Sequence, residues 1–196
     1  MSPSFVEPPE DLASFPAIEL VGELWRIHDE AKRPDYFGTS GAFRFDLVGE
    51  PGRGTCYLSS TPAGALVEVF GDMRMVPSEL LQRKRISRAY APDKLRVANV
   101  TDSHVVGQFG FGQEMSANLD YAPTQRWASA FYTNGFDGVW YSARHDPTGL
   151  SRSVAVFGAT PFDADRFGWD PPEPIAEVIL ERVAEDFGIE VLPTLS

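Results

Sequence analysis

The sequence predicts an α+β domain: a single compact unit with a mixed or antiparallel sheet and flanking helices. Three observations carry that expectation. The chain has 196 residues, the length of one domain with room for a proper core. Short β-branched and aromatic runs bounded by Gly, Pro and Ser recur along it. Helical stretches fall between those runs without the regular βαβ alternation that a doubly wound sheet requires, and no internal repeat is present.

Residues 1–18 read as an extended N-terminal arm, with four prolines and three acids before Ala17. Residues 19–196 read as the domain. Glu19–His28 reads as one strand in which Leu24 and Trp25 meet the core and Arg26 reaches the other way. A loop punctuated by Pro34, Gly38 and Gly41 follows. In Phe43-Arg44-Phe45 an extended backbone would put Arg44 on one face and both phenylalanines on the other.

Thr55–Leu58 is a strand that turns through Ser59, Ser60 and Thr61 into a helix. Ser60 or Thr61 is its N-cap, Pro62 stands at its first position and Gly71 stops it. Glu68 is the only charge between Arg53 and Asp72, and it sits among Leu66, Val67, Val69 and Phe70. A carboxylate buried there without a partner costs several kcal/mol. The alternative is a solvent-facing Glu68 on an amphipathic helix.

A short helix follows near Ser78–Lys84, capped by Ser78, then a strand over Leu95–Val100. Asp102 caps a short helix through Val105. Gly107–Gly112 has the glycines of a phosphate loop, but no long helix follows directly, so a lid or plain loop is expected. Thr124–Asn134 is a helix with Trp127, Ala128, Phe131 and Tyr132 on its apolar face. Phe136–Tyr141 is an aromatic strand that delivers Ser142 and Arg144 at its end, and Ser153–Gly158 is a buried strand after a surface turn. Pro174–Phe187 is an amphipathic helix with Ile175, Val178, Ile179 and Val183 inward, and Ile189–Leu192 forms a last edge strand.

Composition narrows the function. A net charge of −11, with no basic cluster of five or more residues and only the short run Arg83-Lys84-Arg85, argues against direct nucleic-acid binding. An anionic ligand would need local arginines to overcome that field. The single cysteine, Cys56, excludes a disulfide framework and a multi-cysteine zinc site, and it reads as a small buried thiol. His28, His104 and His145 have no ligand-like spacing, so no metal site is expected. No run of about 18 apolar residues predicts a membrane span. The N-terminus lacks the regions of a signal peptide, which leaves a cytoplasmic location as the default. No G-x-S-x-G elbow supports a serine hydrolase.

What remains is a sparse polar set at the edges of apolar elements: Arg26, Arg44, Tyr57, Glu68 and Ser142. Two arginines suit recognition of phosphate or carboxylate. A tyrosine offers a ring and a hydroxyl. One carboxylate can hold sugar hydroxyls and face positive charge growing on a ribose. The set fits a nucleotide-sugar ligand and fits a structural Arg–Glu network equally well.

The order LWR, FRF, CYLSSTPAGALVEV, GFDGVWYSAR and VAVF resembles the RES-domain family, over about Glu23–Phe157. The Tyr57–Glu68 segment is its most specific piece. The resemblance implies an ADP-ribosyltransferase-like fold and cleavage of NAD at the nicotinamide–ribose bond, with NAD as substrate and no separate cofactor. It also implies a toxin of a bacterial toxin–antitoxin pair, restrained by an antitoxin. Carried over, Glu68 and Tyr57 are the catalytic residues and Arg26, Arg44 and Ser142 bind substrate, with Gln125 as a further polar position. The chain departs from the family pattern at Ile27, where an aromatic often stands, and at Phe43, where glycine usually precedes the arginine. EPGRG lengthens the interval from Arg44 to Tyr57. Water or inorganic phosphate is the expected acceptor. The alternatives are a protein ADP-ribosyltransferase using the same site and a non-enzymatic nucleotide-binding or interaction module.

Overall fold

A computed structural model describes residues 6–91, 93–112, 115, 119–146, 149 and 151–192. The first five residues of the arm and parts of the turn before Ser151 lie outside the described residues. The strands are β1 (Ala17–Leu20), β2 (Glu23–Asp29), β3 (Arg53–Ser59), β4 (Met75–Pro77), β5 (Lys84–Tyr90), β6 (Leu95–Asn99), β7 (Gly138–Ser142), β8 (Arg152–Ala159), β9 (Gly168–Trp169) and β10 (Glu190–Leu192). The helices are α1 (Pro62–Phe70), α2 (Ser78–Gln82), α3 (Ser103–Phe109), α4 (Ala122–Thr133) and α5 (Glu177–Phe187).

Eight strands form one sheet in the order β1-β6-β7-β8-β3-β2-β5-β9, and β4 pairs with β10 in a separate two-stranded sheet. In the large sheet β6 and β7 are parallel and the other pairings are antiparallel. This is the α+β architecture with a mixed sheet that the sequence predicts. The single strand expected over Glu19–His28 is two strands, broken at Gly22 with φ of 95°. A φ in that region favours glycine, and the break sends β1 and β2 to distant places in the sheet.

One cluster runs across a face of the sheet, from Leu20, Leu95 and Val97 through Val154, Val156, Cys56 and Leu58 to Leu24, Ala89 and Trp169. On the opposite face α4 supplies Trp127, Ala128 and Phe131 against Val139, Tyr141, Ala155 and Phe157, and Leu12 and Phe15 complete this layer. A third cluster packs α1 and α5 on β2 and β5, through Leu66, Phe70, Val183 and Phe187 against Ile27 and Ile86. Val178, expected inward, is 68% exposed, because α5 meets the body along the Val183–Phe187 side.

One feature of the pairing positions the site. β3 runs in register with β8 over seven residue pairs, and β2 with β5 over seven. Between β2 and β3 the register holds a single pair, Trp25 with Ser59. The sheet splits there, and the split opens a cleft between the two strands that carry Arg26 and Tyr57.

Candidate functional site

The cleft widens into a cavity of about 510 Å³. That size suits a small organic ligand. β2 contributes Arg26, β3 contributes Tyr57, α1 contributes Glu68, and the turn before β3 contributes Phe43 and Arg44. Tyr141, Arg144 and His145 close the far side. Four of the five residues singled out in the sequence thus line one hollow. Ser142 does not: it is exposed at the end of β7, where strand alternation turns it away from its inward neighbour Tyr141.

Glu68 owes its place to a helix that starts abruptly. Thr61 is extended and caps α1 by accepting from Gly64 N at 3.0 Å, and Pro62 follows at the first turn. Gly64 has to be glycine, because a Cβ there would come within 2.3 Å of Ser59 Oγ. One turn after Gly64, Glu68 is exposed to the cavity, not packed in the core with Leu66, Val67 and Phe70. Its carboxylate accepts a hydrogen bond from Ser153 Oγ at 3.0 Å and another from the Tyr141 hydroxyl at 3.1 Å. Burial pushes the Glu68 pKa up, against the pull of those hydroxyls and of the Arg44 charge. Burial and the Glu68 charge hold the Tyr141 phenol well above its usual range, so it stays a donor.

Arg44 is buried, and its Nε has no hydrogen-bond partner. Among the described residues no carboxylate pairs with it; its guanidinium carbon lies 5.9 Å from the Tyr141 ring centroid. The Phe43-Arg44-Phe45 triplet is a turn, not an extended segment, since Asp46 N donates to Phe43 O at 3.2 Å. The two phenylalanines therefore part: Phe45 is fully buried and Phe43 is exposed at the cavity. Gln125 Nε2 donates to Gly41 O at 2.8 Å and to Phe43 O at 2.9 Å, which fastens the turn to α4.

The Tyr57 hydroxyl donates to Asp46 Oδ1 at 3.0 Å and accepts from Phe45 N at 3.0 Å. Both roles of the hydroxyl are taken, so Tyr57 offers its ring to the cavity. Arg26 lines the cavity, but its Nη1 lies within hydrogen-bond reach of Pro34 O, of Tyr36 O at 2.8 Å and of Cys56 Sγ at 2.8 Å. It shares the Leu24 and Cys56 face of the sheet, opposite Trp25. Arg144 is exposed at the rim with no ionic partner among the described residues, and His145 Nε2 meets Asp72 Oδ1 at 3.0 Å. Among the described residues no group of His, Cys, Asp or Glu is arranged to hold a metal. No helix of the described residues is long and apolar enough to cross a membrane.

The family model described as "RES domain" matches residues 23–177, most of the chain. The chain belongs to the RES-domain family. Its fold is similar to that of a chain in the crystal structure of the M. tuberculosis MbcT–MbcA toxin–antitoxin complex. The two share 14% identity with a TM-score of 0.62, over 86% of this chain and 92% of that one. No curated protein sequence is significantly similar to this RES-domain chain.

Sequence reasoning missed Ser153, Tyr141 and Asp46 in this RES-domain site. The signal for Ser153 was present: a serine inside a buried Val/Ala strand needs a hydrogen-bond partner. Asp46, directly after the FRF triplet, is a buried carboxyl whose pKa burial raises despite the Tyr57 hydrogen bond. Nothing local in the sequence marks Tyr141 over its aromatic neighbours.

Proposed function

We propose that the protein binds NAD in this cavity and cleaves the bond between nicotinamide and ribose, passing the ribose to water or inorganic phosphate. The observation that carries the reading is Arg44: a buried arginine whose Nε has no hydrogen-bond partner and which has no carboxylate partner among the described residues, facing the same hollow as Glu68. A structural Arg–Glu network would close that charge with a salt bridge. An unpaired buried cation is costly unless a ligand anion meets it, and the pyrophosphate of NAD is such an anion.

The chemistry follows from the donors present. The nicotinamide ring of NAD is cationic, so when its bond to C1′ of the ribose breaks, the bonding pair goes to the ring nitrogen and nicotinamide leaves neutral. Positive charge builds on the ribose. Ionised Glu68, held by Ser153 and Tyr141, faces that charge or a ribose hydroxyl without having to reorganise. Arg44, with Arg144 at the rim, fixes the pyrophosphate and thereby the orientation of the scissile bond. Tyr57 packs its ring on the ligand, and Arg26 keeps the 34–36 segment in place. An oxygen of water or phosphate then bonds to C1′, and water gives up a proton to solvent as it does so.

The family membership supports an NAD-processing role. The likeness to a chain of a toxin–antitoxin complex supports the further proposal that this protein is the toxin of such a pair, with an antitoxin as its partner. The test incubates purified protein with adenylate-labelled NAD, with and without phosphate. Free nicotinamide is expected, with label in ADP-ribose if water is the acceptor and in its 1″-phosphate ester if phosphate is. Label fixed on protein would replace this reading with protein ADP-ribosylation. No nicotinamide at high protein concentration would overturn bond cleavage.

A further inference from the structure

Phe43 is 58% exposed, yet it stands on a turn of the cavity wall that is hydrogen-bonded at its backbone. Its N donates to Asp46 Oδ2 at 3.2 Å, and its carbonyl accepts from Asp46 N at 3.2 Å and Gln125 Nε2 at 2.9 Å. Asp46 is itself buried, and its other oxygen holds the Tyr57 hydroxyl. One carboxylate thus fixes the backbone under Phe43 and the ring of Tyr57, and the two ring centroids lie 5.6 Å apart. A lone exposed phenylalanine on a loop needs no explanation. A phenylalanine pinned at its backbone, set in a cavity wall beside a buried arginine with no carboxylate partner among the described residues, offers a different pattern. Ring and guanidinium are consecutive residues. Together they match a flat heterocycle joined through a ribose to a phosphate, with apolar area for the first and charge for the last.

We infer that Phe43 is the stacking surface for an aromatic heterocycle of the ligand, nicotinamide or adenine, and so determines the specificity of the cavity. The inference rests on the dinucleotide reading of the site. The backbone hydrogen bonds hold the stacking platform whatever side chain stands at the position, so affinity follows the ring and not the turn.

Calorimetric titration of wild type, Phe43→Ala and Phe43→Trp with AMP, nicotinamide mononucleotide and pyrophosphate tests it. Phe43→Ala is expected to melt with wild type, to bind one or both mononucleotides at least about tenfold more weakly, and to bind pyrophosphate unchanged. Phe43→Trp is expected to keep or improve nucleotide affinity. The mononucleotide that loses affinity names the ring. Unchanged nucleotide affinity in Phe43→Ala, an equal loss for pyrophosphate, or a wild type that binds no nucleotide would overturn the assignment. A wild type that binds nucleotides but releases no nicotinamide from NAD refutes bond cleavage and leaves the stacking role standing.

Discussion

The hydroxyl of Tyr57 donates to Asp46 Oδ1 at 3.0 Å, and this bond ties the turn that carries Arg44 to β3 at the split in the sheet. Tyr57→Phe removes it and also leaves Phe45 N without its acceptor. Unmade hydrogen bonds at a buried site cost about 1–3 kcal/mol, so urea unfolding of Tyr57→Phe is expected to show a loss of that order. The ring remains. Turnover at saturating NAD is therefore expected to fall less than affinity, because the loosened turn displaces Arg44 and not Glu68. An unchanged denaturation midpoint would show that the turn is held by other means.

In the proposed cleavage Glu68 must be ionised to face a growing positive charge, and the protein around its carboxylate raises its pKa. The acid limb of kcat/KM against pH is expected above the usual glutamate value of about 4.5. Hydrogen bonds from Ser153 and Tyr141 favour the charged form, so removing one moves the limb further up. Ser153→Ala is expected to shift it to higher pH and to lower the rate at pH 7, by roughly tenfold on the scale of one lost hydrogen bond to a charged group. A limb that moves down, or does not move, would detach Ser153 from Glu68 ionisation.

The same carboxylate sets a stability difference. Folded Glu68 holds its proton more tightly than an unfolded glutamate does. As pH rises through about 4.5 the unfolded chain ionises there first, and the folded state loses relative stability until pH passes the folded pKa. Glu68→Gln has no such loss. It is expected to melt above wild type at pH 7, with the gap closing as pH falls below about 4.5. Thermal melts at both pH values check it, and a lower melting temperature for the variant at pH 7 would count against a strained functional carboxylate.

Much of this was legible in the chain because local signals and tertiary structure agree. Thr61 and Pro62 open α1 as their side chains dictate, and the β-branched runs at β3 and β8 became central strands. The Tyr57–Glu68 segment led to the cavity for that reason: it is continuous, and its strand, turn and helix each carry their own signal. The failures share a cause. Alternation predicts faces only where the backbone is extended, so it misplaced Phe43 once the FRF triplet proved to be a turn held by Asp46 and Gln125. The register pairs Ser153 with Tyr141 and Ser142 with Arg152, so Ser153 and Tyr141 share the face that reaches Glu68 and Ser142 takes the other. That register is a long-range property, absent from either segment read alone.

Gly71 illustrates a right position with another reason. It ends α1 in ordinary right-handed geometry, so positive φ is not its role. A Cβ there would lie 2.4 Å from His145 Cβ and 2.5 Å from Val67 O. Gly71→Ala is expected to push the 143–146 segment off α1 and to cost about 1–3 kcal/mol, the usual price of overpacking. Because Arg144 and His145 line the cavity, NAD affinity is expected to fall with stability. Wild-type stability in Gly71→Ala, read by urea unfolding, would show that the rim yields freely.

The central claim is that the Glu68 carboxylate acts on the ribose of an NAD held at Arg44. Chromatographic measurement of nicotinamide release from saturating NAD, for wild type beside Glu68→Gln, tests it most directly. Wild type is expected to turn over many equivalents, and the variant, still folded and still binding NAD, to be slower by at least about a hundredfold. Equal release by the two proteins would contradict the claim.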